Sequence, residues 1–168
     1  NKKINSIPII PKNGELIEKR KGIDQAHEVL GFHMPKLEDK NRYAGEIFDS
    51  ILGGGMSSRL FQEIREKRGL CYAIKSHLEQ SKDYSYELIY VGTVKEKIKQ
   101  IKTLILKEIK KINRLSARDL DEAKERLIGL RQISTEKSDS TMIGLLQEEI
   151  GGDAKEFYNY EEMVNKVK

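Results

Sequence analysis

The segment Gly53-Gly54-Gly55-Met56-Ser57-Ser58-Arg59-Leu60-Phe61-Gln62-Glu63-Ile64-Arg65-Glu66-Lys67-Arg68-Gly69-Leu70-Cys71-Tyr72 restricts the fold of this chain more than any other. It reads as a glycine turn, a short helix, a glycine stop and the start of a strand. Three consecutive glycines free the backbone from side-chain clashes, so a sharp reversal is easy there. Ser57 or Ser58 stands where a helix N-cap belongs. Leu60, Phe61 and Ile64 supply the apolar residues of the helix, and Gly69 occupies the place of a C-terminal glycine cap.

The flanking sequence extends this pattern in both directions. Residues 1–14 hold Pro8, Pro11 and Asn13-Gly14, the composition of a lead-in or linker. A short strand is expected over Glu15 to Lys21, with Leu16 and Ile17 as its apolar residues. A second is expected over Gln25 to Met34, where Ala26, Glu28, Leu30 and Phe32 alternate with Gln25, His27, Val29 and His33. After Pro35, with Asp39 or Asn41 as cap, Ala44, Ile47, Phe48, Ile51 and Leu52 form the stripe of a helix with one face on a core. Strands are expected over Cys71 to Leu78 and Tyr84 to Val91. The second is apolar on both faces at its end and so central in its sheet. Thr93-Val94-Lys95-Glu96 has the form of a capping box opening a long helix with Ile98, Ile101, Leu104, Ile105, Ile109 and Ile112. Ser116 to Asp119 caps the next helix, another runs from about Ser140 to Ile150, and the tail from Asp153 to Lys168 reads as a short helix or two. The order β-β-α-α-β-β-α-α-α gives an α+β domain over residues 15–168, a mixed or mainly antiparallel sheet with helices packed on one face.

Composition narrows the function. A chain of 168 residues, 38% of them hydrophobic, can bury one core without cysteine staples, and the lone Cys71 excludes an internal disulfide framework. The net charge of +4 comes from lysines interleaved with glutamates along helices. That is a solvated ionic surface rather than a basic stripe, and it argues against a nucleic-acid partner. No apolar run approaches the roughly 18 residues of a membrane span. The chain begins Asn-Lys-Lys, so the lack of a visible signal leaves the compartment open, a soluble cytoplasmic setting being slightly favoured.

Candidate chemistry reduces to a few residues. His27-Glu28 starts like a metal motif, but Gly31 stands where its second histidine would fall. His27 and His33 share a strand face about 20 Å apart along it, too far to share a metal. His77 lies apart from both, so no metal site can be assembled from these histidines. Ser57 and Ser58 lack a nucleophile elbow, the glycine run lacks the Gly-Lys-Ser/Thr end of a phosphate loop, and Cys71 has no histidine partner. Arg65, Arg68 and Tyr72 remain. Periodicity alone puts Arg68 nearer the apolar face than Arg65. A solvated arginine and a packing tyrosine would account for all three.

Leu52 to Phe61 followed by Ile64 to Tyr72 resembles the signature of the C-terminal half of inverzincins, the pitrilysin-type zinc peptidases that include mitochondrial processing peptidase. Glu28-Val29-Leu30-Gly31-Phe32, Tyr90-Val91-Gly92-Thr93 and Asp121-Glu122-Ala123-Lys124 continue the likeness in order, so it covers roughly Glu15 to Lys168. The resemblance implies that Arg65 and Tyr72, seven positions apart, form a pair at the substrate cleft. Tyr72 would donate its phenolic hydrogen to the scissile carbonyl as charge develops, and Arg65 would hold substrate backbone carbonyls. It further implies a zinc-dependent endopeptidase whose zinc is bound by an N-terminal domain or partner subunit outside this chain, in a homo- or heterodimer. The H-x-x-E-H metal motif is missing from the sequence, so this half is expected to bind peptide and be inactive alone. Relatives usually continue into a final helix, which this chain is expected to lack. The alternative use of the same fold is a non-catalytic scaffold subunit of a larger complex.

Overall fold

A computed structural model describes residues 13–168. Most of the lead-in expected over residues 1–14 lies outside this range. Strand β1 (Gln25–His33) forms where the alternation is cleanest, with Ala26, Glu28, Leu30 and Phe32 turned inward and half-buried. Helix α1 (Arg42–Leu52) comes next, and Tyr43, Ile47, Ile51 and Leu52 are buried along it. Two further strands, β2 (Ala73–Gln80) and β3 (Ser85–Val94), form a hairpin. The sheet has three strands in the order β1-β3-β2, all antiparallel, with β3 central as its two-sided apolar character anticipates. Gln25 pairs with Val94 at one end of the β1–β3 ladder and Ala73 with Gly92 on the other side of β3.

The strand expected over Glu15 to Lys21 does not form; those residues carry no regular structure. Leu16 and Ile17 are its only apolar residues and are 97% and 68% exposed. With no face to bury, the segment gains nothing by pairing.

Helices α2 (Ile98–Lys111), α3 (Ala117–Thr135), α4 (Ser138–Gly151) and α5 (Tyr160–Asn165) complete the domain. One core joins Leu52 of α1, Ile74, Ile89 and Val91 of the sheet, and Ile101 and Ile105 of α2. A second joins Tyr43, Ile47 and Ile51 of α1 to Ala123 of α3 and Val164 of α5. Helix α1 therefore lies between the sheet and the outer helices, while His27, Val29, Lys75 and His77 are exposed on the other face of the sheet. The buried ion pair of Arg42 with Glu148, 2.8 Å, ties α1 to α4. No helix among the described residues is long and apolar enough to cross a membrane.

The caps divide into those the sequence placed and those it misplaced. Ser116 caps α3 as expected, and the cap is a reciprocal box: Ser116 accepts from the Asp119 backbone and Asp119 answers the Ser116 N–H. Thr93 does not open a helix. It is still in β3, and its hydroxyl donates to the Leu70 carbonyl at 2.6 Å. Neither Ser57 nor Ser58 caps the short helix: Ser57 takes the Arg126 guanidinium at 2.7 Å, and the Ser58 hydroxyl is buried without a partner among the described residues. The helix itself is π-wound over Phe61–Glu66, with the Lys67 N–H reaching back five residues to the Gln62 carbonyl. Single-turn π segments are rare and recur at functional sites.

Candidate functional site

The π turn sets two neighbours in opposite environments. Ile64 is fully buried in the sheet core, and Arg65, the next residue, is exposed. The Arg65 guanidinium lies over the Phe61 ring, 4.8 Å from its centroid. Such stacking holds a guanidinium flat while leaving its donors free. Arg68 is differently employed. It donates to the Glu63 backbone carbonyl and makes a 2.7 Å ion pair with the Glu63 carboxylate. Lys67 and Arg68 together hold the Glu63 carboxyl down at about 2. Among the described residues Arg65 has no carboxylate partner. Helical periodicity, which favours Arg68, thus points to the arginine that is already satisfied.

Gly69 ends the turn with φ +56°, its N–H bonded to the Arg65 carbonyl and the Leu70 N–H to that of Ile64. The Lys97 ammonium donates to the Gly69 carbonyl at 3.1 Å, and the Thr93 hydroxyl secures Leu70. This laced corner delivers Tyr72 to the start of β2, where its N–H bonds the Gly92 carbonyl at 3.0 Å. The Tyr72 ring lies across Gly92. A Cβ there would fall 2.5 Å from the ring, so only glycine lets the phenol rest on the sheet. Its hydroxyl meets Gln25 Oε1 at 3.3 Å, and beyond it His27 Nδ1 and the Tyr90 hydroxyl are paired at 2.8 Å.

Tyr72 is 47% exposed and borders an open groove of roughly 240 Å³ with Leu70, Cys71, Thr93, Val94 and Lys97. Arg65 does not line that groove; its charge bears on Cys71, the residue before Tyr72. Desolvation, and then Tyr90 alongside, push the Tyr72 phenol above its ordinary value, so it remains a hydrogen donor at neutral pH. Burial pushes the Cys71 thiol up, against the pull of Arg65 and Lys97, and so Cys71 behaves as a small buried hydrophobe. Sequence reasoning missed Gln25, Tyr90, Gly92 and Lys97. A glycine inside a two-sided apolar strand was the one available signal, because it marks close approach of another group.

Among the described residues no group of three or more His, Cys, Asp or Glu side chains could hold a metal. His27 sits on the edge strand against Tyr90, and His77 pairs only with Glu79, at 3.5 Å. Zinc therefore does not fit the residues described. What the fold presents is an α+β domain offering cation and phenol donors beside an open groove. The chain belongs to the peptidase M16 family: residues 1–127 match the peptidase M16 inactive domain. It is 32% identical over 130 residues to the uncharacterized zinc protease YmxG of Bacillus subtilis (strain 168), covering 76% of this chain and 32% of that protein. It is 34% identical over 145 residues to an uncharacterized zinc protease of Rickettsia felis, covering 83% of this chain and 33% of that protein. The crystal structure of a protease from Helicobacter pylori superposes with a TM-score of 0.79 at 23% identity, over 89% of this chain and 37% of that one. The chain thus spans about a third of the length of these three proteins.

Proposed function

We propose that this chain is the substrate-binding, non-metal-binding half of a zinc-dependent endopeptidase acting on peptides. The observations that support this reading are a protonated, half-exposed Tyr72 on an open groove and, seven residues before it on the π turn, an Arg65 with no carboxylate partner among the described residues. Arg65 offers a rigid fork of donors suited to backbone carbonyls of an extended peptide. Tyr72 offers one phenolic hydrogen, of most use to a carbonyl oxygen gaining charge. Gly92 supports the ring from below, and Gln25 meets the hydroxyl at its free end. Zinc, and the water it activates, would be supplied by the N-terminal domain or partner subunit. The zinc-protease names of the relatives support that context.

The test is peptide hydrolysis by the full-length protein with and without a chelator, beside this chain alone. Hydrolysis by the full-length protein, its loss on chelation, and no hydrolysis by this chain are expected. Chelator-insensitive hydrolysis would overturn the zinc-dependent reading. Folded, zinc-loaded full-length protein without peptidase activity would favour a scaffold role for the fold.

A further inference from the structure

Glu87 is the most anomalous side chain in the molecule. It sits mid-way along the central strand, is fully buried, and neither carboxyl oxygen has a hydrogen-bond partner among the described residues. Buried carboxyls without donors are rare in folded proteins and call for a physical account. Asp49, in the last turn of α1, takes the hydroxyl of Ser76, and Ser76 lies on the same sheet face as Glu87, two residues along β2 from the Leu78 that pairs with it, so the two carboxyls are neighbours. Both are acceptors when ionised, and the Ser76 hydroxyl beside them is already donated to Asp49. The ladder neighbours of Glu87 are apolar, Phe32 on β1 and Leu78 on β2. Among the described residues no charge from β1 or α2 acts on it. Arg126 of α3 acts on Asp49 while bonding Ser50 and Ser57.

Two neighbouring carboxyls, one fully buried and the other half-buried, cannot both ionise at low cost. A single proton makes one donor, so one Glu87 oxygen gains a partner in Asp49. The same Asp49 also organises the glycine turn at the end of α1. Its backbone carbonyl accepts from Gly53 at 2.9 Å and from Gly54 at 3.0 Å. Gly53 in turn packs on Ser76 so tightly that a Cβ would lie 2.8 Å from the Ser76 nitrogen. Gly55 then passes the chain to Ser58 and the π turn that carries Arg65.

We propose that Glu87 keeps its proton and donates it to Asp49, and that this hydrogen bond is a positioning device that fixes the Gly53–Gly55 turn and, through it, Arg65. Only the last step rests on the proposed substrate role of Arg65; the lock itself does not. Desolvation first, then the Asp49 charge, push Glu87 up to about 8. A carboxyl raised on folding contributes stability that is full below its ordinary value and is lost as pH rises through the folded value. The lock is therefore closed in acid and neutral solution and opens as pH rises through about 8.

Carbon-13 NMR of the protein from pH 5 to 10 reads this directly. The Glu87 carboxyl is expected to titrate near pH 8, and the Gly53–Gly55 resonances to move with the same midpoint. In Glu87→Gln the amide donates to Asp49 at every pH, so the glycine step should vanish while the neutral-pH glycine shifts stay those of the wild type. In the full-length enzyme, KM should rise across the same window in the wild type and stay flat in the variant. Glu87 titrating in the ordinary carboxylate range, or glycine resonances that ignore its titration, would overturn the lock. The wild-type titration alone decides this if the variant fails to fold. A glycine step without a KM step would leave the lock standing and remove Arg65 from substrate binding.

Discussion

Tyr72→Phe in the full-length enzyme is expected to lower kcat by roughly 10- to 1000-fold, with little change in KM. The phenyl ring can keep its place across Gly92, so the fold loses only one hydroxyl. That hydroxyl bonds nothing stronger than Gln25 at 3.3 Å and is half-exposed, so its removal costs little stability. A large kinetic effect with an unchanged melting temperature would mark a group that works on developing charge. Unchanged turnover would refute the role assigned to Tyr72. Gly92→Ala makes the complementary case. It keeps the hydroxyl but lifts the ring, and should lose activity to a similar degree.

Gly53→Ala should be the most damaging single-methyl change on stability, at about 2–3 kcal/mol. The backbone of Gly53 is not the constraint, since its φ of −140° suits any residue. The constraint is Ser76, whose Cβ would stand 2.5 Å and whose nitrogen 2.8 Å from the new methyl. Backbone cannot step aside as a flexible side chain can, so α1 and β2 would have to part. For a domain of this length the loss corresponds to a fall of roughly 4–12 °C in Tm. Gly129→Ala in α3 is the contrast. Nothing lies within 4 Å of its Cβ, so the substitution should stabilise by about 0.5–1 kcal/mol through helix propensity. Equal effects at the two positions, read by thermal unfolding, would mean that the glycine turn is not packed as described.

Much of this was legible because local chemistry and tertiary packing agree. The strand alternation of Gln25 to Met34, the α1 stripe, the Ser116 cap, the Gly69 cap and the central position of β3 each arise from a period or a residue that the fold also uses. The failures have physical causes. Leu16 and Ile17 carry strand propensity but no buried face. Ser57, Ser58 and Thr93 have the chemistry of caps, yet tertiary partners (Arg126 and the Leu70 carbonyl) take the hydroxyls of Ser57 and Thr93. Helical periodicity assumes 3.6 residues per turn, and the π turn breaks that assumption where the two arginines must be ranked. The Asp49–Glu87 contact was invisible, since nothing local marks a carboxylate on an inward strand position as one that meets another acid.

The central claim is that Arg65, not the neighbouring Arg68, holds the peptide on which Tyr72 acts. The most direct measurement is kcat/KM of the full-length protein in the proposed peptide hydrolysis, for one peptide, in Arg65→Ala and Arg68→Ala. A fall of roughly 10- to 100-fold is expected for Arg65→Ala, the loss of a charge-assisted contact. Arg68→Ala, whose charge is already spent on Glu63, should stay within about 2- to 3-fold of the wild type. The reverse ranking would contradict the account.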